Sequence, residues 1–156
     1  MISFDIAQYR FDLRAVAVAV RGDYVLLHRV ETDSFWSLPG GRVEPGEEAA
    51  HAVVREVQEE LGVATTVDGL LFAVENFFEG EGKPHHEIGF YFAVSLPDDS
   101  PVVDVTREHI GVESTQRLIF RWFPRHDLPK LDLHPAFLRK ALQENDAGIK
   151  HFVQHG

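Results

Sequence analysis

A mixed α/β fold is what this sequence predicts, and three observations carry the prediction. Elements follow one another as β-rich, one helix, β-rich, then a second helix, the order expected of a sheet with helices packed on it. The segment from Glu47 to Leu61 holds no Gly or Pro and is rich in Ala and Glu, so one helix is strongly marked. Length and composition agree. With 156 residues, 44% hydrophobic and 26% charged, the chain suits one soluble domain with one sizeable core. Residues 1–156 are therefore expected to form a single domain, its core within about 13–142.

From Leu13 to Val20 and from Tyr24 to Val30 the chain is apolar and β-branched, with turn chemistry at Arg21-Gly22-Asp23, which predicts a hairpin. Leu38-Pro39-Gly40-Gly41 and Glu44-Pro45-Gly46 then interrupt regular structure, giving a loop over 39–46. The helix over Glu47–Leu61 starts on acids that suit its dipole and stops at Gly62. Strands follow at Thr65–Phe78, broken near Gly69, at Glu87–Leu96 and at Leu118–Phe123, with loops at Pro84, Pro97 and Pro101. Pro135, followed by Phe137, Leu138, Ala141 and Leu142, predicts a second helix ending near Asn145. The tail from Asp146 to Gly156 is expected to fray.

Composition also narrows function. No cysteine is present, which excludes disulfide frameworks, thiolate nucleophiles and Cys-ligated metals, and agrees with a reducing compartment. A net charge of −10 repels polyphosphate backbones, so a nucleic-acid duplex is not an expected partner. The apolar stretch Ala15–Val20 is far short of the ~20 residues of a membrane helix, and the first residues lack the pattern of a targeting segment. A cytoplasmic protein is the expectation.

The helix over Glu47–Leu61 carries the chemistry. At ~100° per residue, Glu59 and Glu60 fall within roughly 60° of Glu56, so three carboxylates share one stripe. Ala50, Val53, Val54, Val57 and Leu61 fill the neighbouring arc, which places the stripe at the border of the core. Like charges at these spacings oppose the helix and raise one another's pKa unless a cation neutralises them. Oxygen ligands alone suit magnesium or manganese, which complete their shells with water and substrate phosphates. A solvated acidic face is the competing reading of such a triplet taken by itself.

Context decides between them. From Gly41, the sequence GRVEPGEEAAHAVVREVQEELGV fits Gly-x5-Glu-x7-Arg-Glu-U-x-Glu-Glu-x-Gly-U at every fixed position, U being a bulky aliphatic, and so resembles the Nudix box in full. The lead-in Trp36-Ser37-Leu38-Pro39-Gly40 and the later Arg121-Trp122-Phe123-Pro124 are similar to the family as well. The resemblance implies an α/β/α sandwich with a mixed sheet between helices, and divalent-metal hydrolysis of the pyrophosphate linkage in a nucleoside diphosphate derivative. It implies Glu56, Glu59, Glu60 and the Gly41 carbonyl as ligands of Mg2+ or Mn2+, with one of the acids taking a proton from the attacking water. Glu59 and Glu56 thereby become the candidate catalytic acids, and Arg55 and Glu47 a pair that fixes the loop against the helix. The implied partner is a small-molecule nucleotide; a homodimer is compatible with the resemblance. A catalytically silent nucleotide-binding module of the same fold is the alternative, and it would need damaged box carboxylates or an attached effector domain. An isoprenoid diphosphate isomerase would be expected to use a cysteine, which the chain lacks.

A further acid outside the box is expected to reach substrate or metal. Alternation over His86–Val94 sets Glu87 at the head of a face with Gly89 and Tyr91, and Glu113 is expected in a loop able to swing in, whereas Asp98, Asp99 and Glu108 lie in stretches that look solvated. His85 and His86 read as loop residues beside Pro84, and Phe35 and Trp36 as core. The proline and tyrosine that mark family members acting on ADP-ribose and on dinucleoside polyphosphates are absent where Phe78, Glu79, Gly80 and Glu81 stand, so the leaving group is unassigned.

Overall fold

The computed structural model describes residues 1–144 and 147–156. Strands are β1 (Ser3–Ile6), β2 (Tyr9–Arg21), β3 (Tyr24–Val30), β4 (Gly40–Arg42), β5 (Thr66–Gly80), β6 (Lys83–Ser95), β7 (His109–Glu113), β8 (Gln116–Pro124) and β9 (Lys150–His155). Helices are α1 (Ala49–Leu61) and the short α2 (Leu138–Ala141), with 3-10 turns at Pro101–Val103 and Arg125–Lys130.

The strands make one mixed sheet in the order β7-β8-β3-β2-β6-β5-β9. Strand β2 organises it. One edge of β2 pairs in parallel with β6 from Arg10↔His85 to Ala19↔Val94. The other edge is divided among β1, β4 and β3, and β3 keeps only the registers Val20↔Val25 and Arg21↔Tyr24. Beyond that hairpin β3 turns away, carrying β8 and β7 with it, and β4 takes its place against Arg14–Val16. The divergence opens a crevice beside α1.

Each face of the sheet has its own core. Ala15, Ala17 and Ala19 of β2 meet Ala52, Val53 and Val57 of α1, and the small side chains let the helix lie close. Val16 and Val18, on the opposite face, pack with Phe72, Tyr91, Leu138 and Leu142 under α2. Helices thus cover both faces, the α/β/α arrangement the resemblance implied.

Several boundaries differ from the sequence expectations. Strand β2 begins at Tyr9 and is preceded by β1, so ordered structure starts well before residue 13. Helix α1 begins at Ala49, because the Glu47 carboxylate turns back to accept from the Glu44 amide at 3.0 Å. His85 and His86 lie within β6, not in a loop: Glu81 and Gly82, both at positive φ, form a two-residue hairpin turn. Pro84 precedes the first register between β6 and β2, where a missing N–H breaks no bond to that neighbour. Glu113 closes strand β7, paired with Gln116, where a loop was expected.

The tail is not frayed. Lys150–His155 pairs in parallel with Phe72–Phe77, anchored by Phe152, whose ring lies 4.6 Å from Phe137 and 5.3 Å from Phe72. The second helix is described only over Leu138–Ala141; its expected end near Asn145 and the first tail residue, Asp146, lie outside the described residues. Among the described residues no helix is long and apolar enough to cross a membrane.

Candidate active site

The three acids of α1 run from solvent into the core. Side-chain exposure is 58% at Glu59 and 15% at Glu56, while Glu60 is only 4% exposed. Neither carboxylate oxygen of Glu60 has a hydrogen-bond partner among the described residues. Burial above all, then the negative charges of Glu113 and Glu56, pushes the Glu60 carboxyl up to about 9. Burial also raises Glu56, against the opposing pull of Arg55.

Arg55 ties this stripe to the loop before the helix. Its Nε and Nη2 donate to the two oxygens of Glu47 at 2.8 and 3.0 Å, a forked contact. Nη2 also donates to the Arg42 carbonyl at 3.1 Å, and Nη1 to Glu56 at 2.9 Å and, more loosely, to Glu59 at 3.4 Å. The guanidinium holds Glu47 down at about 2 and is itself raised by that partner. The pairing expected between Arg55 and Glu47 is therefore present. Because a lysine offers one point charge in place of this fork, Arg55→Lys is expected to lower kcat/KM by about 30–100-fold, the equivalent of about one charged hydrogen bond. Steady-state kinetics checks this; unchanged values would make the fork dispensable.

Gly40 and Gly41 let the loop come this close. A Cβ on Gly41 would fall on the Glu56 carboxylate, and one on Gly40 on the Ala15 carbonyl. Gly41→Ala is accordingly expected to displace Glu56 and reduce activity by at least about tenfold, since misplaced catalytic groups lose rate steeply. Gly46→Ala provides the contrast: a Cβ there meets nothing, but at φ +80° an alanine would be strained, so its effect should fall on stability.

Beyond the helix, Glu113 adds negative charge to Glu60 and Glu56 from the end of β7. Gly111 makes this approach possible, for a Cβ there would meet the Glu60 carbonyl and the Phe120 ring. Glu87 is buried on β6 and belongs to a different group: burial raises it, with Arg14, Asp12, Arg42 and Asn76 as its charged or polar neighbours. The structure thus sets Glu47, Arg55, Glu56, Glu59, Glu60 and Gly41 together, places Glu113 at their margin, and leaves Glu87 across Arg14 on the sheet. Among the described residues no three His, Asp or Glu side chains already surround one point, so the stripe is an open set of oxygens.

The chain matches the NUDIX domain family over residues 11–144. It belongs to the Nudix family. A Bacillus subtilis (strain 168) protein named "Putative ADP-ribose pyrophosphatase YjhB" is 30% identical over 112 residues, which cover 71% of this chain and 49% of that protein. The chain thus spans about half the length of that relative. An RNA pyrophosphohydrolase of Bradyrhizobium sp. (strain ORS 278) is 27% identical over 114 residues, 67% of this chain and 68% of that protein. Among solved structures, a MutT NUDIX hydrolase from Burkholderia pseudomallei superposes with TM-score 0.66 at 26% identity, covering 87% of this chain and 98% of its own.

Nudix hydrolases generally need a divalent metal, and the residues present fit one. The chemistry is right, carboxylate and carbonyl oxygens being what hard divalent ions take. Glu60 supplies the structural test: two buried, unpartnered carboxylate oxygens are a large desolvation penalty that a cation would relieve. The Gly41 cradle against Glu56 adds backbone at the same place.

Two residues of this Nudix site were not singled out from sequence. Arg14 of β2 and His28 of β3 line the crevice opened by the divergence of those strands, about 220 Å³ in volume, together with Arg29, Phe35, Ser37 and Glu113. A larger hollow of about 310 Å³ lies in the other core, among Val18, Phe72, Ala141 and Leu142, away from the carboxylates. A signal for Arg14 did exist. In Leu13–Val20 it is a charge on the face that Val16 and Val18 bury, which a strand tolerates only with a reason.

Proposed function

We propose that this Nudix protein hydrolyses the pyrophosphate linkage of a nucleoside diphosphate derivative or nucleoside triphosphate, with Mg2+ or Mn2+ held by Glu56, Glu59, Glu60 and the Gly41 carbonyl. The observation that carries the reading is Glu60: a buried carboxyl, both oxygens without a hydrogen-bond partner among the described residues, beside the half-buried Glu56 on the same helix. A divalent ion bound there neutralises phosphoryl charge and acidifies water.

The chain's own groups supply the rest. Glu59, the most exposed of the three and only loosely held by Arg55, is the acid best able to accept a proton from the attacking water. Glu56 is oriented by Arg55, and Arg55 by Glu47 and the Arg42 carbonyl, so the loop and helix present their oxygens as one unit. The names of the relatives support a nucleotide pyrophosphate as the bond broken, though they differ in what is attached to it. Absence of cysteine supports a reducing, cytoplasmic setting. The net charge of −10 disfavours a duplex partner.

The test is a panel of nucleotide sugars, dinucleotides and nucleoside triphosphates, scored by mononucleotide or phosphate release with and without magnesium or manganese. Cleavage of at least one compound, abolished by a chelator, is expected. Binding without cleavage across the panel would overturn the hydrolase reading in favour of a silent nucleotide-binding module.

A further inference from the structure

Arg14 is a cation without a mate. Its guanidinium makes no hydrogen bond or ion pair among the described residues, although Glu87, Glu60 and Glu113 all lie within its electrostatic reach. A half-buried guanidinium that has three acids for neighbours and pairs with none is held away from them, and here it borders the crevice. From the crevice wall its charge acts on Glu60 and Glu113, so substrate phosphates drawn to the stripe would arrive within its reach. Planar guanidinium groups bind phosphate oxygens in a forked manner that no acid of the site can supply.

His28 lies on the facing strand. It is 7% exposed and its Nδ1 is buried with no hydrogen-bond partner among the described residues. Burial, aided by the charge of Arg14, pushes its pKa down to about 3, so the imidazole is neutral in ordinary buffers and offers one donor and one acceptor. A neutral ring has no preference for anions, and the walls around it include apolar Val30, Phe35 and Leu118. A mixed wall, with the Phe35 ring and two aliphatic side chains beside polar Ser37 and Asp33 and a neutral hydrogen-bonding imidazole, suits a nucleobase better than a further phosphate. At about 220 Å³ the crevice is smaller than pockets that enclose whole ligands, which fits it to one part of a nucleotide.

We propose that Arg14 and His28 form the subsite that fixes the nucleoside half of the substrate, Arg14 positioning the phosphate chain beside the carboxylate stripe and His28 reading the edge of the nucleobase. This rests on the hydrolase reading for its substrate class, yet it makes separate predictions, because binding can be measured without turnover.

The experiment is calorimetric titration of the full chain, in magnesium, with the four ordinary nucleoside 5′-monophosphates and with inorganic phosphate. The proteins compared are the wild type, Arg14→Gln, Arg14→Lys, His28→Phe and His28→Gln, each first checked for a cooperative thermal transition. Arg14→Gln is expected to weaken all four nucleotides by about 10–100-fold, and Arg14→Lys by less, since charge is kept and the fork lost. His28→Phe, similar in shape but without polar atoms, is expected to leave inorganic phosphate unchanged and bring the four base affinities within about twofold of one another. His28→Gln, a neutral donor and acceptor, should restore part of the preference, which a purely structural role would not predict. If Arg14→Gln or His28→Phe fails to fold, Arg14→Lys and His28→Gln decide by the same readouts.

A wild type that binds none of the five probes, or folded variants that keep wild-type affinities and base preferences, would overturn the proposal. Wild-type cleavage of a panel compound together with unaltered binding by the variants would sink this subsite and leave the hydrolase reading standing. Binding that depends on Arg14 and His28 with no cleavage of any compound would do the reverse.

Discussion

Glu59→Gln is expected to cut kcat by about 10²–10⁴-fold at saturating magnesium, the range lost when a positioned proton acceptor is removed. Glu59 is 58% exposed on α1 and its polar partner among the described residues is Arg55, at 3.4 Å, so the substitution removes chemistry with little effect on packing. Far-ultraviolet circular dichroism and the melting temperature should match the wild type. The companion Glu56→Gln releases a 2.9 Å contact to Arg55 and should show both a rate loss and a higher metal requirement, because it is the acid that the loop orients. A Glu59→Gln enzyme with near wild-type kcat would remove that residue from the chemistry.

Glu60→Gln is expected to separate stability from activity in opposite directions. The folded-state pKa of Glu60 is raised to about 9 from an ordinary 4.5, so between those values the native chain holds a proton that the unfolded chain releases. Stability of the metal-free protein therefore falls as pH rises through this window, by up to about 1.4 kcal/mol per pH unit from this one group. Glutamine has no such proton to hold. The variant should equal the wild type near pH 5 and exceed it by up to about 3–4 kcal/mol at pH 7–8 in chelator, while losing activity by orders of magnitude. Denaturant unfolding from pH 5 to 9 checks this, since contributions from groups not coupled to Glu60 cancel in the difference. Parallel curves for the two proteins would mean that Glu60 is not held in a low-dielectric, unneutralised setting.

How much of this could be read from the residues depends on the distance over which each feature is built. The stripe of Glu56, Glu59 and Glu60 follows from helical geometry alone, and the Arg55–Glu47 fork spans only eight positions with a matching spacing in the family. Such short-range features were legible. The crevice was not, because it depends on β3 leaving β2 after two registers and on β4 taking the vacated edge. Glu113 read as a swinging loop residue because nothing local predicts that Gly111 lets β7 press against the Glu60 carbonyl. The tail read as frayed because its order comes from Phe72–Phe77, more than seventy positions away, and its alternation of exposed and half-buried residues is short. Nothing local sets His28 apart within Tyr24–Val30; only the fold shows that its Nδ1 is buried with no hydrogen-bond partner among the described residues, at the edge of a cavity.

The central claim is that the buried end of the α1 stripe holds a divalent cation, and manganese binding tests it without reference to any substrate. Titration of the wild type and Glu60→Gln with Mn2+ at pH 7.5, followed by the electron paramagnetic resonance signal of the free ion, should show uptake by the wild type. Removing Glu60 should weaken that uptake at least tenfold, as loss of a charged oxygen ligand requires. Equal binding by the two proteins, or no binding by the wild type at millimolar Mn2+, would contradict the assignment of Glu60 to the metal.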